Sequence, residues 1–198
     1  MKLKKAEFPG IAWNIYKKEE VNVKKLLVFC MVAGLLSGVS SNAAAEKIKE
    51  YPIGEEKVLN KMQIAAVYLK PIDMEPRGTD LPASQADIHL EADIHATKGN
   101  PNGFGAGEWI PYLTVTYKVE NIDTGESKTG KFMPMVAKDG SHYGGNIKMM
   151  GAGNYKVTYT IEAPDKQGFG RHTDTATGVG KWFQPFSVDY TFKYVPLK

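Results

Sequence analysis

Histidine and carboxylate residues alternate with apolar residues over positions 87–95, which read DIHLEADIH. Side chains of a β-strand point alternately to its two faces, so residues two apart share a face. Imidazole and carboxylate groups bind Fe, Mn, Zn, Cu and Ni, and the polar face therefore offers part of a metal site. The polar face consists of Asp87, His89, Glu91, Asp93 and His95, and the apolar face of Ile88, Leu90, Ala92 and Ile94.

A solvated strand face with two incidental histidines is the alternative interpretation of this stretch. The chain has only four histidines, and two of them fall on this one predicted face. Neighbouring residues on one face lie about 7 Å apart, so a strand supplies two ligands to an ion more readily than four. Other segments must then supply the remaining ligands.

Two methionines, Met133 and Met135, precede a glycine-containing turn and His142. Methionine in a strand commonly fills the core, and on that interpretation one of the pair packs inward while the other points to the histidine face. A thioether beside imidazoles is a softer donor set than iron requires and is typical of copper sites. The fourth histidine, His172, lies in a glycine-rich loop, where it is either solvent-exposed or brought to the site by the loop.

The elements that must position these residues are predicted to be β-strands. About seven short strands with turns between them, and no helical periodicity, predict an all-β fold of the β-sandwich type. The turn at 121–125 predicts a hairpin between strands at 110–119 and about 128–136. Glycine-rich segments at 99–107 and 168–180 are predicted to be loops, and the polar segment 46–56 a loose N-terminal arm. Further strands are predicted at 63–69, 87–96, 155–161 and 186–195.

Residues 23–45 have the features of a secretory signal peptide: two lysines, a 14-residue apolar run and an A-x-A ending. A membrane span needs roughly 20 apolar residues, so the run is too short for one. We expect cleavage after Ala45 and a single domain at 46–198. Residues 1–22 precede the signal, and we interpret them as an artefact of the assigned start, with translation beginning at Val21 or Val23. An unusually long charged region is the alternative.

Composition excludes several functional classes for residues 46–198. The one cysteine, Cys30, lies in the apolar run, so the predicted domain has neither disulfides nor thiolate ligands. Seven of the 25 Lys/Arg and three of the 22 Asp/Glu lie in residues 1–45, which leaves 18 basic and 19 acidic residues, a net charge of −1. That balance does not indicate nucleic-acid binding. The G-x-S-x-G and H-E-x-x-H hydrolase motifs are also missing from the sequence.

Four segments, in order, resemble the periplasmic iron-transport protein family, also described as pathogen-specific membrane antigens. The stretches MEPRG at 74–78 and NPNG at 100–103 fit the family as well, and the likeness covers about 60–198. The resemblance implies an immunoglobulin-like β-sandwich that forms a homodimer in the periplasm and works beside an inner-membrane iron permease. The four segments are 87–95, 133–144 (MPMVAKDGSHYG), 166–172 (KQGFGRH) and 178–183 (GVGKWF).

The resemblance also implies a site that binds copper and takes iron or manganese as well. Asp93 and His95 would lie beside the ligands or form an auxiliary metal site, and Met133 would pack nearby without binding the ion. His172 would reach the ion either from the same subunit or from the partner. The implied ligands are His89, Glu91, Met135, His142 and His172.

A binding protein that passes iron to the permease, without catalysis, is the function that this resemblance favours. A copper-dependent ferroxidase of the same uptake system is one alternative, with iron bound beside copper at Asp93 and His95. A periplasmic copper-handling protein with no role in iron uptake is another. The Irving–Williams order favours Cu²⁺ over Fe²⁺ at an N/O/S site, so tight copper binding in vitro is compatible with all three.

Overall fold

The structure, a computed structural model, describes residues 49–197, which form ten β-strands and two short 3₁₀ turns. The predicted extension 1–22 and signal peptide 23–45 lie outside the described residues. The strands are β1 (Tyr51–Pro52), β2 (Lys57–Leu59), β3 (Met62–Leu69), β4 (Ile88–Ala96), β5 (Thr114–Asn121), β6 (Ser127–Lys131), β7 (Met133–Ala137), β8 (Gly140–Ile147), β9 (Gly153–Glu162) and β10 (Phe186–Tyr194). The 3₁₀ turns are Ala83–Gln85 and Pro164–Gln167.

The strands form two antiparallel sheets that pack as an immunoglobulin-like β-sandwich, as predicted. The first sheet has the order β1-β3-β4-β8-β7, with β2 also paired to β3. The second sheet has the order β10-β9-β5-β6. Within residues 49–197 we find no helix with the length and apolarity that a membrane crossing requires.

Strand β4 lies at the centre of the first sheet, between β3 and β8, and has the predicted alternation. Its apolar side chains are all 0% exposed and face the second sheet: Ile88, Leu90, Ala92 and Ile94. Removing such side chains from water is the main driving force for packing the sheets together. The polar face of β4 therefore points away from the second sheet, to the outside of the sandwich.

Tyrosine hydroxyls connect the two sheets across the core. Tyr159 Oη, in the second sheet, donates to the backbone carbonyl of Glu91 at 2.9 Å. Tyr190 Oη donates to the carbonyl of Ile64 at 2.8 Å. Both hydrogen bonds are buried, where a hydroxyl without a partner would cost free energy. The hydrogen bond from Tyr159 therefore fixes β4 from its core side at Glu91, whose carboxyl group projects to the outer face of the sheet.

The predicted hairpin is correct at its turn but wrong in its second strand. Strands β5 and β6 pair as expected, but the chain then leaves the second sheet, and β7 pairs with β8 in the first. Phe132 lies at the crossing and is 2% exposed. The segment 128–136 is not one strand because this aromatic residue enters the core where the chain passes from one sheet to the other.

Two further elements differ from the sequence-based expectation. The segment 46–56 is not a loose arm where it is described, because Tyr51–Pro52 pairs with β3 and Ile53 is 1% exposed. Strand β8 was not predicted because three of its eight residues are glycine, a residue depleted in strands. It forms because β4 and β7 pair with it on its two sides, so tertiary context overrides propensity. The predicted loops at 99–107 and 168–180 contain no strand.

Candidate metal centre

Strand pairing places residues of the segment 133–144 on the same outer face of the first sheet as the polar side chains of β4. Glu91 lies opposite Gly144 of β8, and His142 therefore shares its face. Directly opposite residues of an antiparallel pair project to the same side of the sheet. In the next strand, Met135 lies opposite His142. One surface of the first sheet thus carries imidazole, carboxylate and thioether groups from three adjacent strands.

Three of the predicted ligands form a compact cluster on this surface: His89, Glu91 and His142. Their candidate ligand atoms all lie within 4.8 Å of one another. Glu91 Oε1 is 3.5 Å from His89 Nε2 and 3.3 Å from His142 Nε2. The three residues are 0%, 7% and 4% exposed, respectively, so water scarcely reaches them. Two imidazole nitrogens therefore converge on one carboxylate oxygen in a dry part of the surface.

The two converging nitrogens supply the test of whether a metal ion fits here. His89 Nε2 and His142 Nε2 are buried and have no hydrogen-bond partner among residues 49–197. Buried polar atoms are normally satisfied, and leaving one unpaired costs about 1–3 kcal/mol. A metal ion accepts the lone pairs of neutral imidazole nitrogens and of a carboxylate oxygen, so the donor set fits a divalent transition metal.

Burial keeps both imidazoles of the cluster neutral, as metal ligands must be, and keeps a proton on Glu91. It lowers the pKa of His89 to about 4 and lowers the pKa of His142, so both imidazoles are neutral at pH 7. It raises the pKa of Glu91 to about 8, and the negative charge of Asp93 adds to that rise. Both histidines can therefore bind a metal ion without losing a proton. Near neutral pH, Glu91 must release its proton when the ion binds.

Gly144 provides the room that His89 occupies. A Cβ atom at Gly144 would lie 2.8 Å from His89 Nε2 and 3.1 Å from the carbonyl oxygen of Leu90. Neither atom can yield easily, because His89 is packed at 0% exposure and the carbonyl belongs to the sheet. The glycine that weakens β8 as a strand thus allows the imidazole to lie across it.

Asp93 and His95 line a cavity beside the cluster. The cavity has a volume of about 350 Å³, and Glu91 and His142 form part of its wall. Burial raises the pKa of Asp93 to about 6, with further increases from the charges of Asp139 and Glu56. Five carboxylates line this cavity in all: Glu50, Glu56, Glu91, Asp93 and Asp139.

Three of these carboxylates, Glu50, Glu56 and Asp139, were not predicted from the sequence. The first two precede β3 in the polar segment that was interpreted as an arm, and they reach the cavity because that segment pairs with the first sheet. Asp139 lies in the two-residue turn between β7 and β8. Aspartate is common in turns, so its presence there does not by itself indicate a metal site. Only the sheet topology shows that the turn lies beside the cluster.

Both methionines lie on the outer face of the first sheet, which corrects the expectation that one of them packs inward. Met133 lies opposite Gly144 and Met135 opposite His142, and residues two apart on a strand share a face. Both are half-buried. Met135 is the better placed of the two to bind a metal ion, because it lies directly beside His142. Met133 lies beside Gly144, which separates it from Glu91 on β4.

The structure does not bring His172 to the cluster. It lies in the loop between β9 and β10, with an exposed side chain whose Nδ1 is 2.7 Å from Thr177 Oγ1. The loop is held to the segment 99–107 by a hydrogen bond from Asn102 Nδ2 to the carbonyl of Gly180. His172 is thus an exposed residue on a loop that is anchored elsewhere on the same chain.

Glu91→Gln should change how the stability of the metal-free protein depends on pH. The folded state holds the Glu91 proton up to about pH 8, whereas the ordinary pKa of a glutamate is 4.5. The folded state therefore binds more protons than the unfolded state between these values, and the wild type loses stability as pH rises through that window. Glutamine has no such loss, so at pH 8 the variant should be more stable by about 4 kcal/mol, and near pH 4.5 the difference should nearly vanish.

Urea unfolding with a chelator present, at intervals between pH 4.5 and 8, measures this difference. Glu120→Gln is the control, because that carboxylate pairs with Lys118 at the surface and its pKa is lowered. The control should show no gain at pH 8. A constant difference between wild type and Glu91→Gln across the range would contradict the buried, protonated carboxyl described here.

Gly144→Ala should weaken metal binding while Gly145→Ala should not. The added methyl group at Gly144 displaces the His89 imidazole, whereas at Gly145 the nearest atom, Asp80 Oδ2, is 3.5 Å away, an ordinary contact. We expect affinity for Cu²⁺ to fall about tenfold or more for Gly144→Ala, the scale seen when ligand orientation is disturbed. Competition titration against a chelator measures it, and equal losses in the two variants would mean that the effect comes from the strand backbone.

Comparison with known proteins gives relatives over most of the chain. A UPF0423 protein of Brucella abortus (strain 2308) is 50% identical over 155 residues, which are 77% of this chain and 85% of the relative. The 34 kDa membrane antigen of Treponema pallidum (strain Nichols) is 37% identical over 146 residues, 71% of this chain and 72% of the relative.

Two solved structures have the same fold and high identity. FetP of uropathogenic Escherichia coli, expressed in the periplasm, is 69% identical with a TM-score of 0.74, over 76% of this chain and 99% of FetP. A copper-reconstituted protein of Campylobacter jejuni is 62% identical with a TM-score of 0.75, over 76% of this chain and 99% of that protein. The family model described as Fe2+ transport protein matches residues 47–196. The chain therefore belongs to the Fe2+ transport protein family.

Proposed function

We propose that this protein is a periplasmic metal-binding component of an iron-uptake system and supplies iron to an inner-membrane permease. It binds iron and copper, and also manganese, at a centre of His89, Glu91, Met135 and His142. The observation that carries the proposal is the pair of buried, unpartnered imidazole nitrogens that converge on Glu91 Oε1. Membership of the Fe2+ transport protein family supports iron as the cargo.

Copper binding is supported by the donor chemistry and by the relatives. A set of imidazole, thioether and carboxylate donors prefers Cu²⁺ to Fe²⁺ by the Irving–Williams order. The relative from Campylobacter jejuni is a copper-reconstituted protein, and a variant of FetP is copper-bound. Which ion is bound in the cell then depends on metal supply rather than on intrinsic affinity.

The acidic cavity supports transport of cations rather than of anions or neutral molecules. Burial raises the pKa of Glu91 and of Asp93, and the negative charges of neighbouring carboxylates raise both further. A cation entering the cavity relieves that repulsion, and a concave surface of one charge sign raises the local concentration of the opposite sign. The cavity therefore serves as the approach by which iron reaches the cluster.

Export to the periplasm is supported by the signal features of residues 23–45. It is also consistent with the relatives, since FetP was expressed in the periplasm. A protein in that compartment needs a membrane partner to move iron across the inner membrane. Our proposal therefore includes delivery of iron to a separate permease.

A homodimer with His172 contributed by the partner subunit accounts for the position of that loop. His172 is exposed and hydrogen-bonded only to its own loop within the described chain, so it is free to contact a second copy. A twofold dimer repeats each contact, so one such contribution completes both centres. This arrangement adds a third imidazole without moving the loop toward its own cluster.

A copper-dependent ferroxidase is the second candidate function. The observation that favours it is the cavity that holds Asp93 and His95 beside Glu91 and His142, with room for a second cation. Copper, when bound, would supply one-electron redox chemistry, and the carboxylates would hold Fe²⁺ beside it. Oxygen consumption when Fe²⁺ is added to the copper-loaded protein separates this activity from passive transport. Growth of a deletion strain under iron limitation and under copper stress separates both from copper handling alone.

Protein purified from its own periplasm should contain iron or manganese, and His142→Ala should abolish that content because it removes a donor from the cluster. Met135→Leu should reduce bound copper most, since the thioether is the soft donor. Elemental analysis of the purified proteins measures both effects. Met62→Leu is the matched control, because Met62 is 0% exposed in the core and away from the centre. Copper alone in the wild type, retained in Met135→Leu, would make the thioether a packing group and remove the support for iron at this site.

Mixed dimers test whether His172 acts across the subunits. Neither His142→Ala nor His172→Ala dimers should bind metal tightly. In a mixed dimer of the two, the His172→Ala subunit retains its own His142 and receives His172 from its partner, so one centre per dimer is intact. We expect half of the wild-type metal content in purified mixed dimers carrying two different tags. No recovery would place His172 in the centre of its own subunit, and full metal content in His172→Ala dimers would place it outside both centres.

A further inference from the structure

We propose that Asn146 is a positioning residue of the metal centre, which holds His89 in the tautomer with Nδ1 protonated and with the Nε2 lone pair directed at the metal position. This inference rests on the proposed metal-binding function. It concerns a residue of β8 that lies directly opposite His89 and is 5% exposed.

The orientation of the Asn146 amide is fixed by its neighbours in the segment between β3 and β4. Its Nδ2 donates to the carbonyl of Ile72 at 2.9 Å and to the carbonyl of Leu81 at 2.8 Å. Its Oδ1 accepts from the backbone N–H of Ile72 at 3.2 Å. A flipped amide would turn the oxygen toward two carbonyls and the NH₂ toward an N–H, and would lose all three hydrogen bonds.

The fixed amide determines which nitrogen of His89 carries the proton. His89 Nδ1 lies 3.1 Å from Asn146 Oδ1, and a carbonyl oxygen can only accept. The imidazole must therefore donate from Nδ1, because the other tautomer would set two lone pairs against each other in a buried site. Neutral imidazole has one N–H, which leaves Nε2 as the acceptor. That nitrogen is the one without a partner, 3.5 Å from Glu91 Oε1.

Asn146 is itself held in place by the segment that covers it. Its backbone N–H donates to Asp80 Oδ2 at 2.6 Å, and Asp80 Oδ1 accepts from the N–H of Leu81 at 2.8 Å. The segment between β3 and β4 thus grips Asn146 through both its side chain and its backbone. Partners of this kind, which orient a ligating histidine through its other nitrogen, typically change metal affinity by 10–100-fold when they are removed.

Three variants separate the hydrogen bond to His89 from the hydrogen bonds to the covering segment. Asn146→Leu removes the acceptor for His89 and both donors to the carbonyls. Asn146→Asp keeps an acceptor at Oδ1 for Nδ1–H but loses both donors. Asp80→Ala weakens the attachment of the segment and leaves the His89 hydrogen bond in place, so it is the matched structural control.

The first readout is the pair of ¹⁵N chemical shifts of the His89 ring in the metal-free wild type. We expect the pattern of the tautomer protonated at Nδ1, and retention of that pattern in Asn146→Asp and Asp80→Ala. The second readout is Cu²⁺ affinity together with the electron paramagnetic resonance spectrum. Asn146→Leu should lose about 10–100-fold in affinity and show altered copper hyperfine splitting. The aspartate variant and Asp80→Ala should keep the wild-type spectrum even where their thermal stability falls.

A wild-type ring protonated at Nε2 would overturn the inference, and this measurement needs neither a metal nor a variant that folds. It would also be overturned if Asn146→Leu kept the wild-type affinity and spectrum, or if Asp80→Ala changed the spectrum as much as Asn146→Leu did. Failure of the wild type to bind copper or iron would overturn the proposed function instead, because the tautomer of the metal-free protein decides the role of Asn146 separately.

Discussion

Exclusion of water from the polar groups at the centre of β4 is the constraint on which the candidate metal centre depends. His89, Glu91 and His142 are nearly as buried as the apolar core, although they lie on the outer face of the sheet. Two of their nitrogens have no hydrogen-bond partner in the described part of the chain. Each such atom costs about 1–3 kcal/mol in a folded protein. A fold that retains this cost keeps strong donors free for a ligand, and the segment between β3 and β4 holds the His89 end of the cluster through Asn146.

Charge is distributed unevenly around this dry cluster. The imidazoles at its inner end are neutral, because burial lowers the pKa of His89 and of His142. The carboxylates lie toward the cavity, where burial, and then repulsion from neighbouring negative charges, raises the pKa of Glu91 and Asp93. A cation thus meets negative charge before it meets nitrogen donors. The carboxylates attract a cation over a distance, whereas the imidazoles bind it selectively on contact.

Sequence reasoning found the parts of the centre that local periodicity encodes. The two faces of β4 followed from a period of two, and His142 and Met135 from a resemblance to known segments. It missed β8 as a strand, since glycines obscured the alternation of His142, Gly144 and Asn146 on one face. It placed the methionines on opposite faces, which their spacing does not allow. Glu50 and Glu56 could not be predicted, because only long-range strand pairing brings them to the cavity.

Strand β7 forms the edge of the first sheet, whereas β4 lies at its centre. An edge strand has hydrogen bonds on one side only, and such elements open locally at a lower free energy than strands paired on both sides. The thioether of Met135 therefore belongs to a more readily opened part of the protein than the imidazole of His89 does. Transient opening of β7 would detach the soft donor while the harder donors stay in place. Where Met135 binds the ion, the same scaffold would offer that ion two coordination environments, with lifetimes set by the opening and closing rates of an edge strand.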